Sequence, residues 1–172
     1  LHRRQRQMCI RDSIYYIDNE KGEADNAFAK IQFDDGKEQS NFVSHQKSIS
    51  YKPKTRRVES LSLNLKTSQE DLFEFQITPK VNMFMCGLGY MHPDWGHGQF
   101  KGELETHYDT YDLNEDPQDP PFLHIQSLCE VKLKTPEKEL QGRGVLEQLF
   151  LGPHEPSAVS YTHLTLPTMQ VV

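Results

Sequence analysis

The sequence predicts an all-β fold, an antiparallel barrel that is closed or nearly closed, on three observations. Apolar and polar residues alternate with period two along most of the chain, and helical periodicity is almost absent. Turn chemistry separates the alternating runs at hairpin spacing. About eight runs succeed one another as a meander, and a meander of that length closes to remove its exposed edges. An open sandwich is the alternative arrangement.

Residues 13–18 are β-branched and aromatic, and residues 19–22 break the run. Ala27, Ala29, Ile31 and Phe33 then share one face. Asp34-Asp35-Gly36 is a tight-turn signal, because glycine supplies positive φ at no steric cost. Residues 37–51 read as one or two extended segments. The next hairpin has Leu61, Leu63 and Leu65 on one arm, a loop at 67–71, and Phe73, Phe75 and Ile77 on the other. Pro79 is expected to end that arm, since it cannot donate to a ladder. Residues 81–88 form an apolar run and 99–111 a long polar strand, with a proline-rich acidic loop at 114–121. Along 122–134, Leu123, Ile125, Cys129, Val131 and Leu133 face one way, and His124, Gln126, Glu130 and Lys132 the other. Residues 139–151 pair back after a turn at 135–138.

The 172 residues suit one domain, or one domain with a piece of another. Residues 1–12 and 158–172 read as an artefactual leader and tail, resembling translated sequencing-adapter read-through, so the natural chain is expected to continue past both. No secretory h-region comes after the basic start. The formal charge is −6, and setting aside the +3 of the first twelve residues leaves −9, which disfavours nucleic-acid partners. The basic cluster Lys52, Lys54, Arg56 and Arg57 reads as a solvated loop around Pro53. Cys86 and Cys129 fit buried thiols in a reduced, cytoplasmic setting. No run approaches a membrane span of ~20 apolar residues.

Chemistry concentrates in residues 86–107, which hold five of the ten glycines, three of the eight histidines and the one tryptophan. If 99–111 is a strand, Lys101, Glu103, Glu105 and His107 share one face, lining either a polar cavity or a solvated surface. Asp94 beside Trp95 suits either a general acid held against an indole or a turn that caps backbone amides. His92 and His97 with Glu103 or Asp94 match no metal-ligand template, and no metal or other cofactor is assigned. Nucleophile elbow, phosphate loop and dinucleotide fingerprint are absent.

Two stretches carry a family resemblance. Gly87-Leu-Gly-Tyr-Met-His-Pro-Asp-Trp-Gly96 is similar to the Gly-Tyr…Trp-Gly element of lipocalin-like proteins, the group of carotenoid 1,2-hydratase, AttH-like and tocopherol cyclase-like proteins. Residues 144–157 resemble the closing strand and tail of uncharacterised members. The resemblance covers about residues 81–157. It implies an incomplete calycin-type barrel, with 81–157 as the C-terminal region. Residues 13–80 are then strands of an incomplete N-terminal portion or the first strands of the barrel.

The resemblance also implies an apolar ligand such as an isoprenoid or steroid, with acid-catalysed hydration, cyclisation or isomerisation as the reaction. Asp94, Glu103 and Glu105 are the candidate acids. Tyr90, His92, Trp95, His97, His124 and Gln126 are the candidate ligand contacts. His-Pro-Asp before Trp95 departs from the family pattern. A non-catalytic lipid-binding half of a two-barrel protein is the second reading, and a metal-dependent oxygenase-type barrel the third.

Overall fold

The structure is a computed structural model, and it describes residues 12–33, 36–89, 92–112, 114, 115, 117, 119–149 and 154–157. The expected leader (1–11), the tail (158–172) and Asp34-Asp35 of the first turn lie outside the described residues.

The fold is all-β and antiparallel, with no α-helix among the described residues. The eight strands are β1 (Asp12–Asp18), β2 (Ala24–Gln32), β3 (Glu38–Gln39), β4 (Phe42–Tyr51), β5 (Val58–Thr67), β6 (Leu72–Phe84), β7 (His124–Lys134) and β8 (Glu139–Leu149). They form two sheets. β1-β2-β3 make a small one, and β4-β5-β6-β7-β8 make a five-stranded meander in which every strand lies beside its chain neighbour. Among the described residues β4 and β8 remain edges, so strand pairing does not close the larger sheet. The small sheet lies over it instead of extending it, because Ala29 and Ile31 bury their face against Leu63, Leu65, Phe73, Phe75 and Leu133.

Alternation sets which residues meet. Leu61, Leu63 and Leu65 lie opposite Ile77, Phe75 and Phe73, and Phe75 and Ile77 in turn lie opposite Leu133 and Val131. Paired residues point to the same side of a sheet, so five strands contribute to one apolar inner face. A polar lock joins the sheets along β4. Lys47, on that inner face, pairs with Asp18 of β1 and stands 5.0 Å from the Tyr16 ring centroid. The Tyr16 hydroxyl lies 3.3 Å from His45 Nδ1. Burial, reinforced by the Asp18 charge, pushes the Tyr16 phenol up to about 12.

Several expectations are corrected. Pro79 does not end its strand. β6 continues to Phe84, with Pro79 opposite Cys129 and a bulge before Val81 that absorbs the missing N–H. The expected junction at 80/81 falls inside this strand. Residues 37–51, by contrast, form two extended segments, β3 and β4, within what the sequence suggests. Residues 99–111 are not a strand: they run irregularly, with Phe100, Leu104 and Tyr108 exposed. A period-two pattern forms a strand only against a partner, and none lies beside it among the described residues.

The basic cluster is corrected as well. Lys52 and Lys54 are exposed, but Arg56 and Arg57 are each only 1% exposed. Arg57 Nη2 donates to the carbonyls of Pro117 at 2.8 Å and Phe122 at 2.7 Å. Cys86 and Cys129 are free and buried, as the sequence suggests, although Cys86 sits in a 3-10 turn (Met85–Leu88) after β6. Burial pushes the Cys129 thiol up.

Candidate functional site

The chain leaves the sheet after β6 and re-enters it at β7, and the residues singled out for chemistry lie mostly in this excursion. Its stems are held by an aromatic cluster. Phe84 lies 5.5 Å from Tyr111 and 5.1 Å from Phe122, centroid to centroid, with the Arg57 guanidinium 5.9 Å from the Phe84 ring. Together with the two Arg57 hydrogen bonds, these contacts fix where the excursion starts and returns.

Gly89 shapes the first bend of the excursion. Its φ of +88° is a left-handed conformation, and an added Cβ would stand 2.7 Å from the Trp95 carbonyl oxygen and 2.8 Å from the His97 nitrogen. Its own carbonyl accepts the His97 N–H at 2.8 Å. The loop therefore closes on the glycine backbone itself.

His92 then organises the turn. Its Nδ1 accepts the backbone N–H groups of Asp94 at 3.0 Å and Trp95 at 2.8 Å. The capping role open to Asp94 thus belongs to His92. With Nδ1 accepting, the neutral ring carries its proton on Nε2, which lies 3.1 Å from Asp109 Oδ2. The other oxygen of Asp109 lies 3.1 Å from His107 Nε2. The His107 ring stacks on Trp95, with centroids 5.1 Å apart and planes 8° from parallel. One carboxylate thus holds two imidazoles, and one of them lies flat against the indole.

The expected site residues divide accordingly. His92 and Trp95 enter this cluster. Asp94 contributes its backbone and keeps its side chain exposed; His97 is exposed and contributes its amide. Glu103 and Glu105 are exposed. Tyr90 lies outside the described residues. His124 and Gln126 sit on β7 facing away from the core, with His124 Nε2 2.7 Å from Glu147 Oε1. His107 and Asp109 are the members that the sequence does not single out as site residues; no spacing rule links them to His92, and only the fold of the loop does.

His92, His107 and Asp109 offer ligand atoms within 4.8 Å of one another, a set that suits a divalent metal by type. The tautomer opposes it. A metal on His92 Nε2 requires the lone pair there and the proton on Nδ1, where two backbone N–H groups already point. The donor set fits a metal only if the turn opens.

His107 differs from His92. With Nε2–H donating to Asp109, its lone pair lies on Nδ1, and the side chain is 37% exposed. An imidazole oriented by a carboxylate and open at its other nitrogen can accept or return a proton.

A second buried polar network lies within the larger sheet. Ser127 donates to Asn82 Oδ1 at 2.7 Å and accepts from Gln148 Nε2 at 2.9 Å, and Gln148 Oε1 accepts the Val58 N–H at 3.0 Å. That network ties β5, β6, β7 and β8 together. The described residues include no helix long and apolar enough to cross a membrane.

The model of a family described as a family of unknown function (DUF8625) matches residues 22–160, which takes in β2 to β8 and the excursion. No curated protein and no solved structure matches the chain.

Proposed function

Because the chain belongs to this family of unknown function, we propose from its own geometry that it binds an apolar small molecule, such as an isoprenoid or steroid, at the excursion beside the larger sheet. The setting we propose is lipocalin-like, an incomplete calycin-type barrel of which the five-stranded meander is the described part. The observation that carries the reading is the exposure of Phe100, Leu104 and Tyr108, at 82%, 92% and 87%, on the loop that holds the Trp95–His107 stack. Large apolar side chains grouped on one loop of a charged protein favour apolar contact. Covering each is worth about 1.5–3 kcal/mol. Three therefore supply roughly 5–9 kcal/mol before ordering costs, which limits affinity to the micromolar range or weaker.

The acid–base version of the reading rests on His107, with Asp109 orienting it. Asp94, Glu103 and Glu105 stand in solvent, outside the hydrogen-bonded cluster. A protonated imidazole delivering its proton to an alkene held against Trp95 would serve hydration, cyclisation or isomerisation. The binding-only version needs Trp95 and the three exposed side chains and no acid.

The test measures isoprenoid and steroid binding by calorimetry, with product analysis on isoprenoid alkenes, for wild type, His107→Gln and the triple variant Phe100→Ser, Leu104→Ser, Tyr108→Ser. We expect binding to fall at least about tenfold in the triple variant, the loss of one well-covered side chain. Turnover that disappears in His107→Gln with binding retained selects the enzyme. Equal binding by wild type and the triple variant overturns the site.

A further inference from the structure

The two edges of the larger sheet are built differently. β4 is broken by irregularities at Phe42/Ser44 and Ser50/Tyr51, and it points the charge of Lys47 inward to Asp18 of the small sheet. Bulges and inward charges are devices that stop an edge from recruiting another strand. β8 has none of them. Its eleven residues pair with β7 without a slip, and among the described residues its far side is unpaired.

The outer surface beside this edge is apolar. Val81, Leu128 and Val145 lie opposite one another across three strands and are 37%, 47% and 50% exposed. Such a row ending at an open strand is unusual for a surface left to water.

We infer that β8 pairs antiparallel with β8 of a second copy of this chain, about a two-fold axis at Val145. The strand is self-complementary in that register and poorly so with the axis two residues earlier. With Val145 opposite its own copy, Arg143 faces Glu147 of the second copy and Glu147 faces Arg143, so two ion pairs flank the axis. On the other face Leu146 lies opposite Gly144 and Gln148 opposite Gly142, large side chains against absent ones. A Cβ at Gly142 would meet nothing within 4 Å, so the space is open. An axis at Arg143 instead sets Arg143 against itself and Glu139 against Glu147, and like charges opposite one another repel. The chosen register also brings two Val81–Leu128–Val145 rows together into one apolar band, and the two meanders become a single ten-stranded sheet with a common inner face. Arg143 has no ion-pair partner among the described residues, which leaves it available. Glu147 has a second carboxylate oxygen beyond the one at His124.

Sedimentation equilibrium on the full chain tests this. We expect a dimer that Arg143→Glu weakens by at least about tenfold, since it opposes like charges on both sides of the axis, and that Glu147→Arg added to it restores. Register is read separately on the Cys9→Ser background with a short bis-maleimide. Val145→Cys should cross-link to its own copy at a Cα separation of about 5 Å. Gln141→Cys should not, since its copy lies eight residues along the strands, about 27 Å away. A monomer at every concentration, a dimer indifferent to Arg143→Glu, or a dimer in which Val145→Cys fails to cross-link each overturns the inference.

Discussion

In the larger sheet, position comes from alternation. Leu61, Leu63 and Leu65 meet Ile77, Phe75 and Phe73 because side chains one strand apart point the same way, and the small sheet closes over them with Ala29 and Ile31. In the excursion between β6 and β7, position comes from single contacts: a left-handed glycine with no room for a Cβ, one histidine accepting two amides, one carboxylate between two imidazoles, one arginine holding two carbonyls. The sheet averages its energy over many neighbours. The loop concentrates it in a few. Damage to the sheet should therefore appear in global stability, and damage to the loop in local order and ligand contact.

The largest expected effect lies in the sheet. Leu65 is fully buried, so Leu65→Ala should cost about 2–5 kcal/mol by urea unfolding, with the transition still cooperative. A cost under about 1 kcal/mol would mean that the two sheets do not share this core.

Gly89→Ala tests the other region. The variant must either leave the left-handed conformation or push against the Trp95 carbonyl, a strain of about 1–3 kcal/mol. We expect faster hydrogen exchange at the Trp95 and His97 amides, with exchange at Leu63 and Ile125 unchanged. Uniform acceleration across both regions would erase the distinction drawn between them.

The smallest effect concerns pH, at a turn packed against the end of β4. His154 is buried, its ring 5.4 Å from that of Tyr51 and its Nδ1 3.1 Å from Ser157 Oγ. Burial, and then the Arg56 charge, hold it below the ordinary value of 6.5. The unfolded chain therefore binds the proton more readily than the folded one. Stability from the neutral ring is present above the ordinary value of 6.5 and is lost as pH falls from there through the folded value. Thermal unfolding of wild type should drop more between about pH 7.5 and about pH 5.5 than that of His154→Gln. Equal drops would show that His154 does not titrate on unfolding.

The contrast also explains what the sequence can disclose. The runs at 58–66, 72–78 and 122–134 are legible because a strand with one buried face must alternate. The β4-β5-β6 and β7-β8 orders are legible from their short hairpins, whereas the β6–β7 pairing spans the long excursion. Pro79 misleads because a bulge tolerates what a regular ladder does not. Residues 99–111 mislead because charged and apolar residues alternate there with no partner strand to use the pattern. Arg56 and Arg57 look solvated because the carbonyls that hold Arg57, at Pro117 and Phe122, are more than fifty residues away in sequence. Trp95 and His92 are visible as unusual residues in a glycine-rich stretch. Their junction with His107 and Asp109 is not, since it depends on how an irregular loop folds back on itself.

The measurement that bears most directly on the proposed role is the emission of Trp95, the chain's one tryptophan. It lies half-buried against His107, on the loop that exposes Phe100, Leu104 and Tyr108. Titration with an isoprenoid alcohol or a steroid should shift that emission to shorter wavelength and saturate at one ligand per chain. In the Phe100, Leu104 and Tyr108 triple variant the same titration should give a much weaker response. An emission spectrum that ignores every apolar ligand, or that responds equally in the triple variant, would contradict a binding site at this loop.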